Sequence, residues 1–215
     1  MVSATSKPRS PSTGRFGNDG TVTSAAATVW VVAGAPGAGK STVADVLRRA
    51  LDPVPALLDK DTLFDGLAGA VLAAAGRPDD EREGPWYDEH VKRHEYGALT
   101  AAAWEIRAAG CPVVLVAPFT GQIRDPALWT SWREELGGEP VRLLWVSCDA
   151  DTLRERLRAR GRAKDGGKLA DFDAFVARMQ PDVPPPVPHL AIDTSPGAPP
   201  LKAQLAGRLE RSPEP

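Results

Sequence analysis

Gly34-Ala35-Pro36-Gly37-Ala38-Gly39-Lys40-Ser41 is the stretch on which the reading of this chain turns. It has the form G-x-x-x-x-G-K-S. The apolar burst Val29-Trp30-Val31-Val32-Ala33 precedes it, and Thr42 with a helical pattern at Val43, Leu47, Ala50 and Leu51 follows. A strand entering a glycine-rich turn that opens a helix points its backbone N–H groups inward, making an anion nest at a helix N-terminus. In this pattern the ammonium of Lys40 reaches the β- and γ-phosphates of a nucleotide, and the hydroxyl of Ser41 ligates Mg²⁺. Residues Gly34 to Thr42 are therefore expected to hold the phosphates of ATP, with magnesium on Ser41. A plain glycine-rich turn with a solvated lysine is the bland alternative, and the strand before and helix after speak against it.

Four more apolar bursts follow, Ala56-Leu57-Leu58, Val113 to Ala117, Leu143 to Val146 and Leu190-Ala191-Ile192. Strands apolar on both faces belong in a parallel sheet covered by helices on either side. The segments between have helical spacing, as at Val91, Leu99, Ala102 and Ile106. Alternating strand and helix predicts right-handed crossovers and a doubly wound α/β fold, whose ligands sit beyond the carboxyl ends of the strands. Trp104, Trp129 and Trp132 are expected to be packing residues.

The second burst runs into Asp59-Lys60-Asp61-Thr62-Leu63. Asp61 then falls at the sheet edge that carries the phosphate cradle, where a carboxylate can accept the proton of an attacking hydroxyl. Asp59 is expected near a metal-bound water. A helix N-cap explains Asp61 about equally well on spacing alone. No N-K-x-D string for reading guanine is present, and the third burst ends in Ala117-Pro118-Phe119-Thr120 with no carboxylate for a metal.

GAPGAGKS followed some twenty residues later by LLDKDTLFDGL resembles the nucleoside-monophosphate-kinase-like P-loop kinases of the zeta-toxin and chloramphenicol phosphotransferase type. Gluconate kinase and the kinase half of polynucleotide kinase, small ATP-dependent kinases of the AAA family, have the same layout. The resemblance covers roughly residues 28–195 and implies a P-loop NTPase fold, with a five-stranded parallel sheet in the order 2-3-1-4-5. It implies that Asp61 is the general base. It also gives roles to the R-x-x-x-R pair of the stretch 149–165: Arg156 against the adenine, Arg160 against the phosphates and catalytic with Lys40 and Asp61. An arginine-rich lid over about residues 161–170 would close and exclude water. Asp193 and Thr194 would sit beside the nucleotide. Where polynucleotide kinases carry an arginine three residues after the base, this chain has Phe64, which suggests an apolar substrate wall.

On the acceptor side, Pro85 to Tyr96 is dense in aromatic and ionisable groups, and Tyr87, Asp88, His90 and Arg93 are candidates for a polar small molecule. His90 and His94 stand four apart, but zinc needs a third ligand and the remaining histidine is His189. Phe119, Thr120 and Arg124, after the third burst, are further acceptor candidates.

The chain's 215 residues suit one domain, expected over 25–210, with a disordered leader at 1–24 and a tail at 211–215. The leader holds twelve Ser, Thr or Gly against five apolar residues, and residues 181–200 carry eight prolines. A net charge of −2 argues against a nucleic-acid partner, and the two cysteines suit a reducing, cytoplasmic compartment. No apolar run is long enough to span a membrane. The expectation is an ATP- and Mg²⁺-dependent kinase that phosphorylates a hydroxyl of a small molecule. The alternatives are a zeta-like toxin acting on a nucleotide sugar, a 5′-hydroxyl polynucleotide kinase, and a nucleotide-binding regulatory module.

Overall fold

β1 (Val29–Ala33) is buried along its whole length, and its side chains divide by the two-residue period of a strand. Val29, Val31 and Ala33 join Leu99, Leu115, Trp129 and Trp132 in one apolar cluster. Trp30 and Val32 join Val43, Leu47, Leu153 and Leu157 in another. Such a strand needs helices on both sides. The structure, a computed structural model that describes residues 27–209, supplies them; the leader expected over 1–24 and the tail over 211–215 lie outside the described residues.

The remaining strands are β2 (Ala56–Asp59), β3 (Val113–Val116), β4 (Val141–Ser147) and β5 (Leu190–Asp193). All pair in parallel in the order β2-β3-β1-β4-β5. The helices are α1 (Lys40–Ala50), α2 (Lys60–Ala74), α3 (Pro85–Tyr87), α4 (Arg93–Ala108), α5 (Thr120–Arg124), α6 (Pro126–Glu135), α7 (Ala150–Arg160), α8 (Gly166–Ala170), α9 (Phe172–Met179) and α10 (Leu201–Leu205). Helices α1, α7 and α9 cover one face of the sheet, and α4 and α6 the other. This is the five-stranded P-loop architecture that the resemblance implied.

Three sequence expectations change in detail. β2 and β5 are edge strands with one neighbour each, so they are only partly buried and Leu57 is 39% exposed. Trp129 and Trp132 are packing residues, but Trp104 is 51% exposed, because it lies on the outer side of α4. The stripe from Val91 to Ile106 is broken by a π-helical turn, Asp88–Lys92, between α3 and α4. Val91 packs with Ala68, Leu72 and Tyr87, while Leu99 and Ala103, rather than Ala102, face the sheet.

Arg107, 6% exposed, ties α4 to the end of α6. Its Nη1 donates to the carbonyls of Leu136 (2.8 Å) and Gly138 (2.5 Å), and its Nη2 to that of Glu139 (2.6 Å). Removing the donor strands these carbonyls in a place of low water access. Arg107→Leu is therefore expected to destabilise the fold by about 2–4 kcal/mol, read as a lower urea midpoint at unchanged m-value. No helix among the described residues is long and apolar enough to cross a membrane.

Candidate functional site

The turn after β1 has the backbone shape that its glycines allow. Gly34 has φ 147°, and a Cβ there would lie 2.2 Å from the carbonyl oxygen of Val146. Gly37, at φ 91°, sits against Leu153 and Leu157, which leave a Cβ little room. Gly34, Ala35 and Ala38 form the back of the cradle; Pro36, Gly37, Gly39, Lys40, Ser41 and Thr42 line a cleft of about 1270 Å³. Lys40 folds back so that its Nζ donates to the carbonyl of Ala35 at 3.0 Å. Burial lowers its pKa to about 8, against the opposing pull of Asp61. The rim is fixed from β5. Thr194 Oγ1 donates to the carbonyl of Ala38 (2.7 Å) and accepts from Arg156 Nη1 (3.0 Å), while Arg156 Nη2 donates to the carbonyl of Thr194 (2.6 Å).

The two aspartates after β2 divide the work. Asp59, not Asp61, is the N-cap of α2: its Oδ1 accepts from the backbone N–H groups of Asp61 (2.9 Å) and Thr62 (3.3 Å). Its Oδ2 accepts from Ser41 Oγ at 3.2 Å, so the cradle and α2 are tied through one carboxylate. Two hard oxygen donors, a hydroxyl and a carboxylate, thus meet at the first turn of α1, a set that suits a magnesium ion also bound to phosphates.

Asp61 is released from capping and faces the cleft. Its Oδ2 pairs with Lys164 Nζ (2.9 Å) and lies 3.5 Å from Arg162 Nη1, whereas among the described residues its Oδ1 has only Lys60 Nζ as an ion-pair partner, at 3.7 Å. Burial alone would raise its pKa, but the ammonium groups of Lys164, Lys60 and Lys40 together outweigh that and hold the carboxyl at about 2.

The segment expected as a lid starts at Gly161, which ends α7 at φ 56°, and continues through a 3₁₀ turn, Ala163–Asp165, into α8. Its anchor is Asp165, 1% exposed, which takes a two-pronged ion pair from Arg160 (Nε to Oδ2 2.5 Å, Nη2 to Oδ1 2.6 Å) and a third contact from Lys168 at 3.2 Å. Arg160 and Arg156 both line the cleft, but two of Arg160's nitrogens are committed to Asp165. Lys164, 9% exposed, bridges Asp61 to Asp65, with Asp65 Oδ1 at 2.9 Å.

Of the acceptor candidates, Tyr87, Asp88, Arg93 and Thr120 line the cleft. Tyr87 is spent on structure: it is 3% exposed, its hydroxyl donates to Glu95 Oε1 (3.2 Å), and burial pushes its pKa up. Four expectations are corrected. Phe64 does not wall the cleft; it packs with Leu58, Tyr96 and Ile106 against the sheet-facing core, where an apolar ring belongs. Phe119 is fully buried, edge-on to Tyr96 and tilted on Trp132. His90 stacks on Trp86 with ring centroids 4.7 Å apart and contacts the carbonyl of residue 86, turned away from the cleft lining. Arg124 spends its guanidinium on the carbonyls of Gln180 (2.7 Å) and Pro184 (3.2 Å), clamping the proline segment.

The sequence reading missed Lys60, Asp65, Glu95 and Lys164. Lys60 Nζ lies 3.3 Å from the buried carboxylate of Glu95 and so joins α2 to α4 beside Asp61. Asp61 and Asp65 stand four apart on one face of α2, a spacing that already asks for a cation. Among the described residues no group of three or more His, Cys, Asp or Glu is arranged to hold a metal.

The fold has relatives among solved structures. A protein of Chloroflexus aurantiacus, provisionally designated a kinase, superposes with a TM-score of 0.60 at 21% identity, over 83% of this chain and 94% of that one. A sugar kinase from Janibacter superposes with a TM-score of 0.50 at 17% identity, over 83% and 89%. A search of curated proteins gives no match. At such identities the structural likeness speaks for the fold. The sequence family is fixed by a separate match, to the AAA domain over residues 29–181. That span runs from the first strand to the end of α9 and takes in the glycine-rich turn, both aspartates and the segment 161–170; the chain is a member of the AAA domain family, with the fold of the small P-loop kinases.

Proposed function

We propose that the protein is an ATP-dependent phosphotransferase that moves the γ-phosphoryl group of ATP to a hydroxyl of a small molecule. The observation that carries this reading is the sharing of one cleft by the Lys40 cradle and the half-free carboxylate of Asp61.

The chemistry follows from the positions. The loop N–H groups and Lys40 take the triphosphate, Lys40 exchanging the carbonyl of Ala35 for phosphate oxygens. Ser41 and Asp59 would hold the magnesium ion, which supplies charge neutralisation on the phosphates. Asp61 Oδ2 is occupied by the lid, so Oδ1 is the atom that receives the acceptor proton. As the acceptor oxygen bonds to phosphorus, the bond from phosphorus to the bridging oxygen breaks and its electron pair leaves on ADP. Arg156 and Arg160 flank the phosphates, and the segment from Gly161 to Ala170 keeps water from competing as the nucleophile.

The test is acceptor-dependent release of ADP in the presence of magnesium across a broad hydroxyl panel of sugars, nucleosides, antibiotics and hydroxy acids. Turnover with at least one class supports the reading; saturable ATP binding with no acceptor-dependent turnover would overturn it.

A further inference from the structure

Eleven basic side chains line the cleft against six acidic ones. Nearly all of this charge is spent within the protein. Lys60 pairs with Glu95, Arg82 with Asp65, Lys92 with Asp88 and Arg178 with Glu83. Arg162 and Lys164 take Asp61, and Arg160 and Lys168 take Asp165. Arg156 is bound to Thr194, and Lys40 is held ready at the donor end. Arg93 is different: among the described residues its side chain has no hydrogen bond or ion pair, although it is exposed to the cleft. Its neighbour Lys92 is paired with Asp88 at 2.8 Å.

The backbone singles out the same position. Arg93 follows the π-helical turn, and its N–H closes that turn onto the carbonyl of Asp88. Such turns are rare and concentrate where a helix must re-aim side chains at a site. Arg93 shares a helical face with Tyr96, three residues on. Tyr96 stands edge-on to Phe119, 5.5 Å between centroids, and Phe119 immediately precedes Thr120. This places Arg93 on the face of α4 that meets the start of α5, where Thr120 and Gln122 also line the cleft. A guanidinium is always charged, has five donors and no acceptor capacity, and matches an oxyanion with a two-pronged contact.

Resting on the phosphotransferase reading, we infer that the acceptor carries an oxyanion, a carboxylate or a phosphate monoester, in addition to its reacting hydroxyl, and that Arg93 is the specificity-determining residue that receives it. The excess positive charge of the cleft accommodates an acceptor of this class beside a magnesium-bound triphosphate.

The experiment has two arms. In the first, matched alcohols are compared as acceptors: glycerol, glycerate and glycerol 3-phosphate, then glucose, glucuronate and glucose 1-phosphate, added to the panel above. Anionic members are expected to be preferred. Arg93→Gln and Arg93→Lys should raise the KM for them by about 10- to 100-fold, with kcat moved much less. Equal use of the neutral partners, or equal KM changes for both, would overturn the inference and leave the phosphotransferase reading intact. In the second arm the donor site is filled with magnesium and a non-hydrolysable ATP analogue, and inorganic phosphate or acetate is titrated while the Nε–H resonance of Arg93, assigned by Arg93→Lys, is followed. A saturable shift is expected, and the tighter of the two ions tells phosphate from carboxylate. An unmoved resonance refutes the oxyanion site even if every acceptor in the panel fails, the outcome that instead refutes the phosphotransferase reading.

Discussion

Asp61→Asn is expected to lower acceptor-dependent ADP release by about 10²- to 10⁴-fold, the range for loss of a positioned base, while ATP affinity stays within about twofold. The substitution keeps the volume and removes the charge. Asp59 still caps α2 and Lys164 still has Asp65, so the shape of the cradle is kept, and the donor side feels the loss of one carboxylate's pull on Lys40. Rates from a coupled assay and affinities from calorimetry separate the two. A wild-type rate would remove Asp61 from the role of base; an equal loss of affinity and rate would move it to the donor side. The pH dependence has a definite sign. With its carboxyl held at about 2 against burial by the ammonium groups of Lys164, Lys60 and Lys40, Asp61 is charged throughout the working range, and no acid limb from it should appear in kcat/KM above about pH 5. Because its folded value lies below the ordinary carboxylate value, its ion pairing stabilises the fold above about pH 4 and is lost as pH falls through about 2.

Lys40→Ala is the second large effect: ATP affinity should fall by about 10²- to 10³-fold, because a charged donor buried against the triphosphate is lost. Burial depresses the Lys40 ammonium to about 8, and phosphate favours the charged form. ATP binding should therefore take up a proton above pH 8 and weaken as pH rises, with little slope below. Calorimetry in two buffers of different ionisation enthalpy measures the uptake, which should vanish in Lys40→Ala. Unchanged affinity would leave the cradle without its role.

The parts of the fold and site that could be read from the sequence are those specified locally. The Gly34–Ser41 turn needs positive φ where its glycines stand, and the strand before it is apolar on both faces, so β1, the cradle and α1 follow from adjacent residues. The inner strands β3 and β4 are legible for the same reason. The strand order is not local, and only the family resemblance supplied it. The acceptor wall could be read only in part, because polar side chains there choose partners far along the chain. Lys164 reaches Asp65 across 99 positions, and Arg124 finds carbonyls 56 and 60 positions away. Phe64 and Phe119 share a different cause: an aromatic near a site has a pocket wall or the core as its destination, and here the sheet's second face had room for both. The capping of α2 turned on which of two aspartates two residues apart stands at the helix boundary, and Asp59 is the one with extended backbone.

The π-helical turn between α3 and α4 has a consequence for how such a molecule can diversify. It is a helix carrying one residue more than its hydrogen bonding requires, beside the cleft and outside the sheet. A deletion of a single codon there would restore ordinary winding and swing everything upstream, Tyr87 included, by about 100°. The phosphate cradle itself stands on β1 and α1, outside this segment. The swing would carry Tyr87 away from Ala68, Leu72 and Glu95, so a change of shape on this side of the cleft is coupled to the packing of that small cluster.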